Sequence, residues 1–343
     1  MKRNLSLFAS AAMSAAFPVA AQEAKTYPAP SEIVASAKAG EWVAIAPSDM
    51  MVMDLAPDSK GKPRRLVIQL IPEPFSQGWI GNIRKLATAK WWDGTSINRV
   101  QDNYVVQWGD ATEKKALPEG LAVVPESEYV AVSEIRGGTD WMDNALASFH
   151  AEFPEFGRKF PETLKHLPKA QSELSRAFRK TFRTDQYAEA NMMIEGWPIA
   201  LDMKKYKWPT HCYGMVGVGR NLSPDTGSGA ELYPVIGHAP RHLDRNIALV
   251  GRVIEGIEHM SGLPHGTGAL GFYEKEEERV PILSVRLGNE TKDVPAFEYL
   301  STDSDSFAAY ADARANRRDP FFNVPAGGAD ICNIPVPVRR KIR

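Results

Sequence analysis

The chain alternates between short apolar runs of period two and turns rich in Gly, Pro, Asn and Asp, broken by a few stretches of helical period. MMVMDLAPDSKGKPRRLVIQLIP, from Met50 to Pro72, reads apolar, polar, apolar and predicts a β-hairpin. In EPFSQGWIGNIRKLATA (73–89), residues Trp79, Ile80, Ile83, Leu86 and Ala87 share one helical face. WWDGTSINRV returns to strand through an Asp-Gly turn, and SINRVQDNYVVQWGD (96–110) reads as strand, turn, strand. EYVAVSEI (128–135) predicts another strand.

Residues 139–182 differ in character. Helical periodicity broken by Pro154, Pro161 and Pro168 predicts two or three short basic-rich helices inserted on a β scaffold. Strand patterning resumes with HCYGMVGVGR (211–220). The loop NLSPDTGSGAE, the strand LYPVIGH, the turn APRHLDRN and the strand IALVGRVIEG follow. A short helix (IEHMSGL), a late strand (RVPILSVRLG), a helix over 303–318 capped by Asp or Ser, and an extended tail (NIPVPVRRKIR) complete the pass.

The first residues carry a different message. MKRN supplies positive charge, LSLFASAAMSAAFPVA an apolar stretch, and small residues reach a cleavage point after Ala21. Residues 1–21 are therefore expected to be a cleaved signal peptide and the mature chain to be periplasmic. Later segments lack the ~20 apolar residues of a membrane span, so no stable membrane insertion of the mature chain is expected. Formal net charge is −1, which gives no global field toward nucleic acid. A monomer is the expected state. The two cysteines, Cys212 and Cys332, would both be exported; a bridge and a pair of buried thiols are both open.

Several motif matches dissolve in context. GTGALG (266–271) fits G-x-G-x-x-G but lies between SGLPH and the charged YEKEEER, not between a strand and a helix. His238 and His242 are four apart, yet Pro240 between them makes a turn, and no third metal ligand is evident. No nucleophile elbow is present. No metal or other cofactor is called for. Arg99 in a half-apolar strand ordinarily snorkels or meets an acid on the surface. Its company changes that reading.

LVIQLIPEPFSQGWIGNIRKLATAKWWDGTSINRVQDNYVVQWGD (66–110) resembles the first half of a cyclophilin-type peptidyl-prolyl isomerase. CYGMVGVGRNLSPDTGSGAELYPVIGHAPRHLDRNIALVGRVIEGIEHMSGLP (212–264) resembles the second, and the two blocks cover less than a third of the chain. The large exported bacterial subgroup is the best match. The resemblance implies a mainly β fold, a closed eight-stranded antiparallel barrel with a helix over each end and a substrate groove outside it. The implied layout is an N-terminal extension (22–62), an isomerase domain (63–290) carrying the helical insertion, and a C-terminal extension (291–343).

Carried across by position, the resemblance makes Arg99 the catalytic cation and Gln107 its orienting amide. Tyr104 and Val105 fall on the proline pocket, Tyr233 on its floor and Leu243 on its wall. Arg220, Glu231, Asn98 and His242 fall on further substrate-binding positions. This chain departs from the family at Asn98 (commonly His), Val105 (Met), Glu231 (Gln), Ile247 (His) and Trp108 (Gly). Glu231 is expected to pair with Arg99 or Arg220, and Trp108 to crowd its turn. Two functions follow. One is prolyl isomerisation on proline-containing segments of exported proteins, with Arg99 stabilising the twisted peptide bond. The other is a weak or inactive scaffold that binds such segments, or a partner through the insertion.

Overall fold

The computed structural model describes residues 27–133, 185–202 and 205–341. The signal peptide expected over 1–21 and the helical insertion expected over 139–182 lie outside them.

Eight antiparallel strands close into a barrel: β2 (Met50–Leu55), β3 (Arg64–Leu70), β4 (Ser96–Val100), β5 (Val106–Gly109), β10 (Met215–Val218), β11 (Leu232–Pro234), β12 (Leu249–Glu255) and β13 (Val280–Leu287). Their order around the wall is β10, β11, β5, β4, β13, β2, β3, β12 and back to β10. Alternation explains the closure: Met51, Met53, Leu66, Ile68, Ile97, Val106, Trp108, Val216, Leu232, Leu249 and Val285 all turn into one core. A closed wall leaves no free edge among these strands.

Helix α2 (Gln77–Thr88) packs its apolar face on that core, burying Trp79, Ile80, Ile83, Leu86 and Ala87. The one-turn helix α3 (Glu258–Ser261) buries Met260 in the same cluster. Trp79 Nε1 donates to the carbonyls of Thr226 and Gly227, and Trp92 Nε1 to that of Ala230. Asn82 Nδ2 donates to the carbonyl of Ser228. The Gly/Ser loop before β11 is thereby fixed on α2.

The barrel begins at Met50, so β2 belongs to it although residues 22–62 read as an extension. The reason is the hairpin itself: β2 pairs with β3 from Met50↔Gln69 to Leu55↔Arg64 and cannot be separated from it. The chain's two ends instead share a sheet, with β14 (Phe297–Leu300) between β1 (Trp42–Ile45) and β15 (Val338–Arg340). Helices α1 (Pro30–Ser36) and α4 (Asp305–Ala315) lie with it around Trp42, Leu300, Phe307 and Tyr310. Ser304 caps α4 by accepting from the Phe307 N–H.

A second added sheet has the order β6 (Ala131–Val132), β9 (Tyr206–Pro209), β8 (Trp197–Leu201), β7 (Ala190–Ile194). Its β7–β8 hairpin turns at Glu195-Gly196, both with positive φ, as a two-residue hairpin turn requires. The expected strand at 128–135 is shorter, because a 3-10 turn occupies Glu126–Tyr129.

Arg252 of β12 ties these layers together. Its Nε and Nη2 donate to Gln69 Oε1 and its Nη1 to the Gly196 carbonyl at 2.7 Å, with its guanidinium over the rings of Trp197 and Tyr299. Burial without a carboxylate lowers its pKa to about 10. Cys212 and Cys332 are bonded across 120 residues, holding the C-terminal segment on the barrel.

Candidate active site

The ladder between β4 and β5 sets the geometry. Ile97 pairs with Trp108 and Arg99 with Gln107, so Asn98 is the extra residue of a bulge. Without it, Asn98 would face Gln107. With it, Arg99 and Gln107 stand side by side outside the barrel while Ile97, Val100 and Trp108 fill the interior. Trp108 therefore crowds no turn; it is core.

Three groups hold the Arg99 guanidinium. Nε donates to the Leu270 carbonyl at 2.7 Å, Nη1 to Gln107 Oε1 at 3.2 Å, and Nη2 to Gln101 Oε1. The rings of Tyr104 and Phe272 stand 5.8 and 5.4 Å from its carbon. A guanidinium has five N–H donors, so one on each terminal nitrogen is left unclaimed among the described residues. Arg99 makes no ion pair among the described residues. Burial draws its pKa below the usual arginine value, yet a guanidinium stays cationic at neutral pH.

Beside it lies an apolar cluster. Val105, Tyr233 and Val235 are buried, and Tyr104, Leu243 and Ile247 pack on them. Val105 bridges to Val235, and the Tyr104 carbonyl accepts from the Ile236 N–H, joining the β5 and β11 sides of the cluster. Leu243 and Ile247 come from the turn after β11. Arg220 steadies that turn: its Nε and Nη2 both donate to the Asn246 carbonyl at 3.0 Å.

Glu231 differs from its expected placement. It meets neither Arg99 nor Arg220. One carboxylate oxygen accepts from the Asp110 N–H at 2.8 Å and the other from Gln107 Nε2 at 3.4 Å. Its carboxylate occupies the space a side chain at Gly109 would need, with a Cβ there only 1.8 Å away. Burial pushes its pKa up, against the hydrogen bonds from Gln107 and the Asp110 N–H. Glu231 thereby fixes the Gln107 amide with its oxygen toward Arg99. Asn98, expected to meet substrate, is a buried bulge residue. His242 is exposed on the 3-10 turn Arg241–Leu243.

Sequence reasoning missed Gln101, Leu270 and Phe272. Gln101 was detectable: it lies two residues from Arg99, just past the end of β4, where period-two spacing turns it to the same side. Leu270 and Phe272 arrive from a loop some 170 residues away, and Leu270 is exposed with a positive φ of 56°. No local pattern announces that. The GTGALG stretch is thus a loop whose carbonyl holds Arg99, not a phosphate cradle.

The model of the family described as cyclophilin type peptidyl-prolyl cis-trans isomerase/CLD matches residues 60–287. Among solved structures, the cyclophilin AquaCyp293 from Hirschia baltica is 19% identical, with a TM-score of 0.55, over 88% of this chain and 95% of that one. A cyclophilin type peptidyl-prolyl cis-trans isomerase of Cryptosporidium parvum, solved in the presence of the dipeptide Ala-Pro, is 9% identical with a TM-score of 0.34, over 69% of this chain and 98% of that one. No curated protein matches in sequence.

Proposed function

The chain belongs to the cyclophilin-type peptidyl-prolyl cis-trans isomerase family and is an isomerase; we propose that it acts on Xaa-Pro bonds of exported proteins, with Arg99 stabilising the twisted bond. The observation that carries this is the guanidinium of Arg99, held at three points with two N–H groups unclaimed, beside an apolar cluster of Val105, Tyr233 and Val235.

The chemistry follows from the peptide bond. Nitrogen lone-pair donation into the carbonyl makes a barrier of ~18–20 kcal/mol. Uncatalysed Xaa-Pro isomerisation takes tens to hundreds of seconds. At the twisted geometry that donation is lost, the prolyl nitrogen becomes pyramidal, and its lone pair becomes basic. A fixed cationic donor there binds the twisted bond better than either planar one, which lowers the barrier without covalent chemistry. An acceleration of about 10⁵-fold corresponds to roughly 7 kcal/mol. Tyr104, Val105, Tyr233, Leu243 and Ile247 would take the proline ring. Gln107, held by Glu231, keeps Arg99 aimed.

The export half of the proposal rests on the N-terminal segment, MKRN followed by an apolar run and a small-residue cleavage point. N-terminal sequencing of the periplasmic fraction tests it: a mature chain starting at Gln22 is expected, and an uncleaved cytoplasmic protein would refute it.

The activity test follows cis-to-trans conversion of an Ala-Pro-Phe peptide by residues 22–343 and by Arg99→Ala. Acceleration that Arg99→Ala reduces at least about a hundredfold is expected. Unchanged turnover in the variant would remove Arg99 from the mechanism. A folded wild type that binds the peptide without turning it over would favour the scaffold reading.

A further inference from the structure

Behind the apolar pocket lies a line of buried polar groups that the isomerisation chemistry does not use. The hydroxyl of Tyr233 is 3.3 Å from His211 Nε2. His211 Nδ1 is 2.9 Å from Asp244 Oδ1, and the same oxygen accepts the His211 backbone N–H at 2.9 Å. Asp244 Oδ2 accepts from Arg241 Nε at 2.6 Å, and Arg241 Nη2 donates to Asp185 Oδ2 at 2.6 Å. The side chains of His211, Asp244, Arg241 and Asp185 are 0%, 3%, 3% and 1% exposed. Four polar side chains out of water need a reason, because each loses its hydration and is stable there only when paired.

We propose that His211 and Asp244 are positioning residues of the proline pocket: the line from Asp185 through Arg241, Asp244 and His211 holds the ring of Tyr233 at the pocket floor. This rests on the isomerase reading for what the pocket binds.

The direction of each bond follows from its chemistry. An ionised Asp244 only accepts, so His211 carries its proton on Nδ1. Its Nε2 is then bare and accepts the Tyr233 hydroxyl. Burial pushes the His211 pKa down, which keeps the ring neutral and Nε2 an acceptor. The tyrosine therefore turns its polar end away from the pocket and offers its ring to the proline. Gly217 makes room for this: a Cβ there would lie 2.4 Å from the hydroxyl oxygen.

The far end of the line is anchored outside the barrel. Asp185 leads into the second added sheet, Tyr187 stacks on Arg241 at 5.4 Å, and Arg245 lies over Trp208 of β9 at 4.6 Å. The turn carrying Leu243 is therefore held between this sheet and the pocket. The added sheet and the pocket floor share one set of hydrogen bonds.

The test uses residues 22–343, with Tyr233→Phe keeping the ring and removing only the hydroxyl. One lost buried hydrogen bond predicts a rise in KM of about fivefold for an Ala-Pro-containing tetrapeptide. The value of kcat stays within about twofold, since Arg99 is untouched. His211→Gln added to Tyr233→Phe gives no further rise, because His211 acts through that hydroxyl. Long-range ¹H–¹⁵N spectra of wild type at about pH 7 should show a neutral His211 protonated on Nδ1. An unchanged KM in Tyr233→Phe, or a His211 protonated on Nε2, overturns the proposal. If wild type binds the tetrapeptide without turnover, the same fivefold loss in affinity still supports the positioning role while the isomerase reading fails. If it neither binds nor turns it over, both fail.

Discussion

Gln107 Oε1 accepts from Arg99 Nη1 at 3.2 Å, and the two residues are direct partners across an antiparallel ladder. The bulge at Asn98 makes them so. One inserted residue converts an ordinary barrel hairpin into a cation and an amide on the same outer face.

That geometry predicts a poor outcome for a change that keeps the charge. Arg99→Lys retains a cation but loses the planar fork that meets Leu270, Gln107 and Gln101 at once. We expect kcat/KM to fall about a hundredfold, with an unchanged melting temperature, measured by peptide isomerisation beside thermal melts. Near-native turnover would show that charge alone suffices.

Glu231 gives a pH-dependent signature. Burial raises its folded pKa above the unfolded value. Its contribution to stability is fully present below the unfolded pKa and is lost as pH rises through the folded one. Glu231→Gln removes the titration, so the variant should melt higher than wild type at pH 7–8. The gap should close toward pH 4.5. A gap that does not vary with pH would mean that Glu231 is not the titrating group.

Gly217 is predicted to be intolerant of a methyl group. Gly217→Ala places a Cβ 2.4 Å from the Tyr233 hydroxyl, so the ring must move into the pocket. KM should rise about tenfold or more while kcat stays near the wild-type value, with an overpacking cost of about 1–3 kcal/mol. Wild-type KM with wild-type stability would contradict the packing described.

Arg252 predicts a purely structural loss. Arg252→Met leaves Gln69 Oε1 and the Gly196 carbonyl without their donor. Urea unfolding should show a loss of about 2–4 kcal/mol, with turnover per folded molecule unchanged.

The disulfide closes a loop spanning 120 residues. Cys332→Ser should lower unfolding free energy by about 2–4 kcal/mol, and a reducing agent should bring wild type to the same value. No difference between oxidised and reduced wild type would refute the bond's contribution.

Much of the barrel was legible because its determinants are local. Period-two runs bounded by turn residues mark β2, β3, β4, β5 and β12, and the spacing of Trp79, Ile83 and Leu86 marks α2. Arg99, Gln107, Tyr104 and Val105 sit within nine residues of one another, so a single quoted stretch carried them. The hairpin β7–β8 is readable too, in the run MMIEGWPIAL with its Glu-Gly turn.

Other parts depended on pairs that no window contains. Local residue pattern sets the alternation that closes a barrel, the helix that covers it and the short segment bearing Arg99 and Gln107. Only the closed fold makes Asn98 a bulge, gives Glu231 to Gln107 and not to Arg99, and brings Leu270 and Phe272 to complete the cation's cradle. It also joined the two chain ends in one sheet and ran a buried line from Asp185 to Tyr233. The physical reason is common to all of these. Backbone periodicity is written in neighbouring residues, whereas a buried polar group is satisfied by whichever partner the closed fold brings within about 3 Å, however distant in sequence.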